Sequence, residues 1–461
     1  MKQLRSFWSA TFLIISLSAV YVSCMPESEI ISEDTTLGLL VSRDTVIFDT
    51  IFSSVGSTTR RLKILNFNEN AIVLDRIGLG LGEDSPYRVV INGEERSSLE
   101  NEFIRGGDSL LVLVEVTIDP QDQSLPFIVR DSLVLEWNGQ QAHVKLLAWG
   151  QDANFVGNEV LSCNTVWRAN RPYVVYDDVL VDSGCTLTVR AGTQVYFDAG
   201  VTMLIGGSIQ VEGEPDNKVV FQHSRLEPEF DDVPGQWGGF LFGTSSRNNV
   251  IEHAHIRNAV NGLYLGIPDA DTLPELIVGH SIIESMSSNG LIAFTTDVYV
   301  YNTQINNCFQ FAVANLAGGN YGYDHVTIAN FNNVQREVPA VLFADNVVLG
   351  DNQLLVEPLS VSLRNSIIWG SEEEEVLLDN GGGAPFQVVG HSSIIKSLEE
   401  SFPGERLLFN VDPAFVDDFL YDLRLDSLSP AVDRGLPLSI EDDLLGNPRL
   451  VVPDLGAYER N

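Results

Sequence analysis

A six-residue pattern that returns six times between Ile251 and Ile395 constrains the fold more than any other feature of the chain. It reads apolar, any, His or Asn, any, any, Ile. The first three copies are anchored by Ile251, His253 and Ile256, by Val278, His280 and Ile283, and by Val300, Asn302 and Ile305. The others follow at Tyr323, His325 and Ile328, at Leu363, Asn365 and Ile368, and at Val389, His391 and Ile394. Two residues after the Ile stands a turn former in five copies (Asn258, Ser285, Asn307, Asn330 and Gly370), with Lys396 in the sixth. The His/Asn positions are 27, 22, 23, 40 and 26 residues apart. Repeats of this length, strand-rich and too small to bury a face alone, stack into a solenoid.

The spacing also selects the kind of solenoid. The first apolar residue and the Ile are five positions apart, and in one straight strand an odd spacing puts them on opposite faces. Both point inward only if the chain bends between them. The bend is expected at the His/Asn position, because Asn, Asp and His tolerate positive φ best among non-glycine residues. A second bend is expected at the Asn/Ser/Gly position, before another short apolar strand such as Leu291–Phe294. Strand, corner, strand, corner, strand is one coil of a parallel β-helix. Neither the Leu/Asn spacing of leucine-rich repeats nor a 3.6-residue helical period is present.

The chain has 461 residues, 63 acidic and 27 basic, for a net charge of −36. Only five of the basic residues are Lys. Such a surface repels nucleic acid and anionic membranes, and it disfavours anionic polymers unless calcium bridges them. The plainer reading of the charge is solubility.

Residues 1–24 read as a targeting segment: Lys2 and Arg5, then an apolar run from Phe7 to Val22 that is short and Ser/Thr-rich for a membrane span. It ends in Tyr21-Val22-Ser23-Cys24, which resembles the lipobox of bacterial lipoproteins, with Tyr where Leu is usual. The resemblance implies lipidation of Cys24 and a membrane partner reached through that lipid; the alternative is ordinary secretion with a free or buried Cys24. Residues 25–37, with Glu27, Glu29, Glu33 and Asp34, read as a flexible tether. These acids are similar to the surface-export signals of Bacteroidetes lipoproteins, which places the protein in the cell envelope, on either leaflet of the outer membrane.

Residues 38–150 read as an all-β domain. Val112, Val114, Val116 and Ile118 alternate on one strand face, and Asn138-Gly139 between two apolar runs is a strong hairpin signal. Further strands are expected at 45–52, 62–67, 71–79 and 87–91, enough for an immunoglobulin-like sandwich. Asn66, Gly106-Gly107-Asp108 and the closing Trp149-Gly150 resemble the abnormal-spindle/hydin type of immunoglobulin-like domain, which implies a spacer or adhesion module.

The solenoid is expected over 151–411. Its opening coils, around Thr186–Phe197 and Leu204–Gly213, are similar to those of bacterial right-handed parallel β-helix proteins, and the handedness rests on that resemblance. Cys163 and Cys185 are 22 residues apart, one coil length. Residues stacked on neighbouring coils sit about 4.8 Å apart, within disulfide reach, so a bridge is predicted, against an alternative of two buried thiols. Cys308 has no evident partner and reads as a small core residue. Residues 412–461 contain Asp412-Pro413-Ala414-Phe415, Ser429 to Gly435, Asp443 to Arg449 and Asp454 to Glu459. Together these resemble the choice-of-anchor Q domain of Bacteroidetes β-helix surface proteins. Pro430, Pro437, Pro448 and Pro453 interrupt strand pairing, so an irregular cap over the last open coil is expected.

Chemistry is sparsely signalled. All seven His are accounted for without a metal: four at corners, His143 in the sandwich, and His223 and His255 remaining, with His253 and His255 a pair lacking a third ligand. The Asp pairs at 177–178, 231–232, 417–418 and 442–443 are neighbours in sequence, whereas glycosidase carboxylates must face each other across substrate. The residue set of polygalacturonases is absent. For a lyase the candidate cations are Arg257, Arg336 and Arg364. No catalytic residue or organic cofactor is assigned. Candidate ligand-binding residues are Glu229, Asp231, Asp232 and Trp237 in the 227–237 loop, with Arg257 and Tyr321. The acids would take calcium or a sugar, and the tyrosine would stack on a sugar; a solvated loop and a core aromatic are the plainer readings. The chain is therefore read as an all-β, lipid-anchored envelope protein, more a binding or adhesion scaffold for a polysaccharide or surface protein than an enzyme. The alternative is a polysaccharide lyase or glycoside hydrolase acting on the β-helix face.

Overall fold

The computed structural model describes residues 29–266, 271, 273–331, 336–350, 353–398 and 400–460. Cys24 and the apolar segment before it lie outside the described residues. The chain divides into two compact units between Gln151 and Asp152, and no α-helix occurs among the described residues.

The first unit is a sandwich of two five-stranded sheets. One contains Arg60–Leu65, Ser109–Val116 and Tyr87–Ile91; the other runs through Thr45–Phe52, Gln140–Gln151, Phe127–Trp137, Ile72–Leu79 and Ser98–Ile104. Val112, Val114 and Val116 are all fully buried, as their alternation requires. Asn138 and Gly139 take φ of 46° and 72° between the paired residues Trp137 and Gln140, the doubly positive turn that matches strand twist. Residues 30–37 are no tether. Ile31 bridges Ala71, and the Trp137 indole N–H donates to the Leu37 carbonyl at 3.0 Å. Asn138 and Gln140 hold the carbonyls of Ser32 and Thr35.

The second unit is a parallel β-helix built from a 17-stranded and an 11-stranded sheet. Register stacks equivalent residues on successive coils: Phe221, Ile256, Ile283, Ile305, Ile328, Ile368 and Ile395 form one inward row. Each is at most 1% exposed, and burial of such a side chain stabilises by about 1.5–3 kcal/mol. The first corner has φ between 44° and 54° at His253, His280, Asn302, His325 and Asn365. The sixth copy is displaced by one residue: Ser392, not His391, has positive φ, and Ile395 rather than Ile394 faces inward. The second bend has positive φ at Asn258, Ser285 and Asn307 only; Asn330 and Gly370 end strands instead.

Cys163 and Cys185 are joined in a disulfide with Cα atoms 4.6 Å apart. Their offset equals that of Thr165 and Leu187, which pair on neighbouring coils. Cys308 is buried, and its thiol donates to the Asn306 carbonyl.

The C-terminal segment corrects the expectation of an end cap. After a hairpin of Phe415–Asp417 and Asp422–Leu425, it runs back along the flank of the 11-stranded sheet. Strands are two-sided, and the outward row of this sheet carries the apolar Ile282, Ile367 and Ile394 beside the polar Gln304 and Thr327. Leu425, Ala431 and Leu455 cover Ile367 and Ile394, while Leu423, Leu444, Ala457 and Tyr458 pack with Ala329. The Tyr458 hydroxyl donates to Gln304 Oε1, and the Ala457 N–H to Thr327 Oγ1. An uncovered apolar outer face requires a cover as much as an open end does.

Candidate ligand-binding groove

The six residues singled out in the sequence do not form one site. Trp237 is fully buried, stacked on Phe197 with centroids 4.0 Å apart, and its indole N–H donates to the Arg257 carbonyl. Tyr321 is 3% exposed and donates to the Gly318 carbonyl. Strand register turns Tyr321 inward, and Trp237, at an isolated bridge to Ala259, packs into the same core, so neither is a sugar platform. Glu229, Asp231 and Asp232 are exposed. Arg257 donates to the Asp231 carbonyl and lies 3.2 Å from Asp232, so it pins this loop. Of the other arginines, Arg336 is buried in an ion pair with Glu375, also buried.

A different row emerges on the outer face of the 17-stranded sheet. Register places Glu252, Gly279, Tyr301, Asp324, Arg364 and His391 on successive coils. Gly279 makes this row possible: a Cβ there would lie 2.5 Å from both the Glu252 carboxylate and the Tyr301 ring. Its absence lets the Tyr301 hydroxyl donate to Glu252 Oε1. The adjacent row is Val250, Ile277 and Tyr299, and the Tyr299 and Tyr301 rings stack 5.5 Å apart at 18°. Opposite them, Ser439 to Asp442 of the C-terminal segment complete a groove of about 490 Å³.

His280 joins the two walls. Its Nδ1 is 3.1 Å from Glu252 Oε2, and its Nε2 is 3.0 Å from Asp442 Oδ1. Burial opposes its positive charge, but the hydrogen bonds and charges of both carboxylates outweigh burial and raise its pKa. The neighbouring His253 goes the other way: burial first, then the charge of His280, lowers it to about 4. Burial and the Glu252 carboxylate hold the Tyr301 phenol well above its ordinary range. The groove therefore presents half-buried aromatic rings and carboxylate acceptors. Further along the row, Asp324 is saturated by the Arg364 guanidinium and the Tyr299 hydroxyl, so it holds the coils together.

No protein-family model matches the chain. No curated protein matches it either. Among solved structures it is similar to the catalytic unit of a thermostable GH87 alpha-1,3-glucanase from Streptomyces thermodiastaticus, at 10% identity over 72% of this chain and 79% of that one, with a TM-score of 0.22. It is also similar to a family 123 glycoside hydrolase from Clostridium perfringens, at 7% identity, 26% and 30% coverage and a TM-score of 0.20; the match spans less than a third of that hydrolase. A PapD-like domain of human CEP192 matches at 9% identity over 28% of this chain and 96% of that one, with a TM-score of 0.18.

Glu252, Tyr299 and Tyr301 were not among the residues marked in the sequence, and Asp442 was marked only as half of an Asp pair. Tyr299 and Tyr301 carry a legible signal, two aromatics at alternate positions directly before a corner. Asp442 has none, since it reaches His280 from 162 residues away.

Proposed function

We propose that this protein is a lipid-anchored cell-envelope scaffold that binds a neutral glycan in the groove between Tyr299, Tyr301 and the 439–442 segment. The observation that carries this reading is the stacked, half-buried pair Tyr299 and Tyr301 beside Glu252 and Asp442. Aromatic faces suit the apolar faces of sugar rings, and carboxylates accept from hydroxyls. A net charge of −36 and the acids at the groove disfavour uronate polymers. Attachment through Cys24 at the outer membrane belongs to the same proposal, and labelling with a palmitate analogue, lost in Cys24→Ser, tests it.

A second reading, a glycoside hydrolase, is favoured by one feature: Glu252 and Asp442 approach the groove from opposite walls. Two carboxylates facing each other across a cleft are what such hydrolysis uses.

Affinity electrophoresis of the purified full chain against neutral glucans, mannans and xylans, with assay of new reducing ends, separates the readings. Retardation by one polymer, weakened at least tenfold in a Tyr299→Ala/Tyr301→Ala variant and without product, is the expected result. Retardation by none, or retardation indifferent to the tyrosines, overturns the groove. New reducing ends abolished by Glu252→Gln would establish the hydrolase.

A further inference from the structure

The chain covers one outer face of its β-helix with its own C-terminal segment, where Leu425 and Leu455 lie over Ile367 and Ile394. The 17-stranded sheet has an apolar outward row of its own. Register stacks Leu204, Leu241, Tyr264, Ile292, Ala314 and Leu342 on six successive coils. Leu180 and Leu377 extend the row by one coil at each end. The alternate residues of these strands, such as Phe240 and Phe242 beside Leu241, point into the core. Two residues further along the same face, Gly266, Phe294 and Leu316 pair in turn, and the Tyr264 and Phe294 rings join the two rows with centroids 5.6 Å apart. None of these outward side chains belongs to a core cluster of the described residues. Leu241 and Leu377 are 39% and 45% exposed, and the rest are half-buried, Ala314 excepted.

We propose that this face is a dimer interface, closed by the same face of a second copy of the chain. Charge is the first argument. The row crosses eight coils without one charged side chain, in a chain of net charge −36. Two such copies repel each other, and they approach at least cost where neither presents a charge. Area is the second. With coils about 4.8 Å apart and outward rows about 6.6 Å apart, the two rows make a strip about 34 Å long and about 13 Å wide. That is about 450 Å² on each copy and about 900 Å² in a pair, near the roughly 1,000 Å² that a specific interface needs. An exposed apolar patch of several hundred Å² marks an interaction site, and an area at the lower limit makes the association reversible. Shape is the third. The partner must be flat, uncharged and as long as the strip, and the strip of a second copy meets all three conditions, since two sheets pack face to face about 10 Å apart. The groove of Tyr299 and Tyr301 lies beyond the corner at Thr295, where φ is 47°, so dimerisation stands whether or not a glycan binds.

The test is sedimentation velocity of the purified full chain, from low to high micromolar concentration, with Cys24→Ser so that no lipid contributes. A monomer–dimer equilibrium is expected, and it should tighten as salt screens the repulsion between copies. Leu241→Asp and Ile292→Asp each place a charge in the strip and should weaken dimerisation at least tenfold. Both side chains face outward, and circular dichroism with a melting curve verifies that the variants fold. Ser362→Asp, at an exposed position outside the strip, should dimerise as the parent does. A monomer at every concentration, a dimer that survives both substitutions in the strip, or one that salt dissociates overturns the proposal.

Discussion

Arg449 donates from Nη2 to Oδ1 of Asn302 at 2.6 Å, across 147 residues of chain. The same guanidinium is paired with Glu459 at 3.1 Å, with side-chain exposures of 2% and 0%. This buried knot ties the C-terminal segment to a corner of the β-helix and so holds Asp442 against His280.

Arg449→Met leaves the Glu459 carboxylate buried without its cation. Breaking one side of such a pair costs about 3–5 kcal/mol, and chemical denaturation followed by circular dichroism should show a loss of that order. Glycan binding should fall as well, because one wall of the groove is then released.

The stability of the second unit should depend on pH through His325. Burial, then the Arg449 charge, lowers its pKa from 6.5 to about 2. The unfolded chain therefore takes up a proton near pH 6.5 that the folded chain refuses. The contribution of neutral His325 is fully present above pH 6.5 and is lost progressively as pH falls towards 2. His253, lowered to about 4, acts in the same sense. His280, with its raised pKa, acts oppositely: its contribution is present below pH 6.5 and fades as pH rises through its folded value. Denaturation midpoints at pH 7.5, 6 and 5 should fall less steeply in His325→Asn, by up to about 1.4 kcal/mol per pH unit for one proton. Parallel slopes would contradict this assignment.

Backbone strain at the corners is measurable at Ser285, which is buried with φ of 58°. Ser285→Gly and Ser285→Val both remove the hydroxyl that accepts from Asn307. Their difference therefore isolates the left-handed backbone together with packing. The valine variant should be less stable by about 1–2 kcal/mol from the backbone alone, read as the gap between two urea midpoints.

The Cys163–Cys185 bridge closes a loop of 22 residues near the first coils. Loop closure of that length restrains the unfolded chain by about 3 kcal/mol. Cys163→Ser/Cys185→Ser should lower the melting temperature, and reductant should lower that of the parent but not of the double variant.

The coil pattern was legible because it depends on local chemistry. An odd spacing between Val278 and Ile283 demands a bend, and His280 between them is a residue that tolerates one. The Asn138-Gly139 hairpin was legible for the same reason. The sixth copy misled by one residue: Val389, His391 and Ile394 fit the pattern, yet pairing sets Gly390 beside Leu363 and Ile395 beside Ile368, a register that the local sequence does not announce. Trp237 misled because an aromatic beside acids in a loop has the same composition whether it faces solvent or the core.

The sequence by itself determined that this chain coils: spacing, turn formers and β-branched residues act within a few positions of one another. Tertiary structure alone decided where the C-terminal segment lies and what it touches. Ile367 and Ile394 need a cover on the outer face of a sheet whose inner face is already packed, and Leu425 and Leu455 supply it. That placement brings Asp442 to His280 and creates the groove. Contacts between residues more than a hundred positions apart are set by the geometry of stacked coils, and no local pattern encodes them.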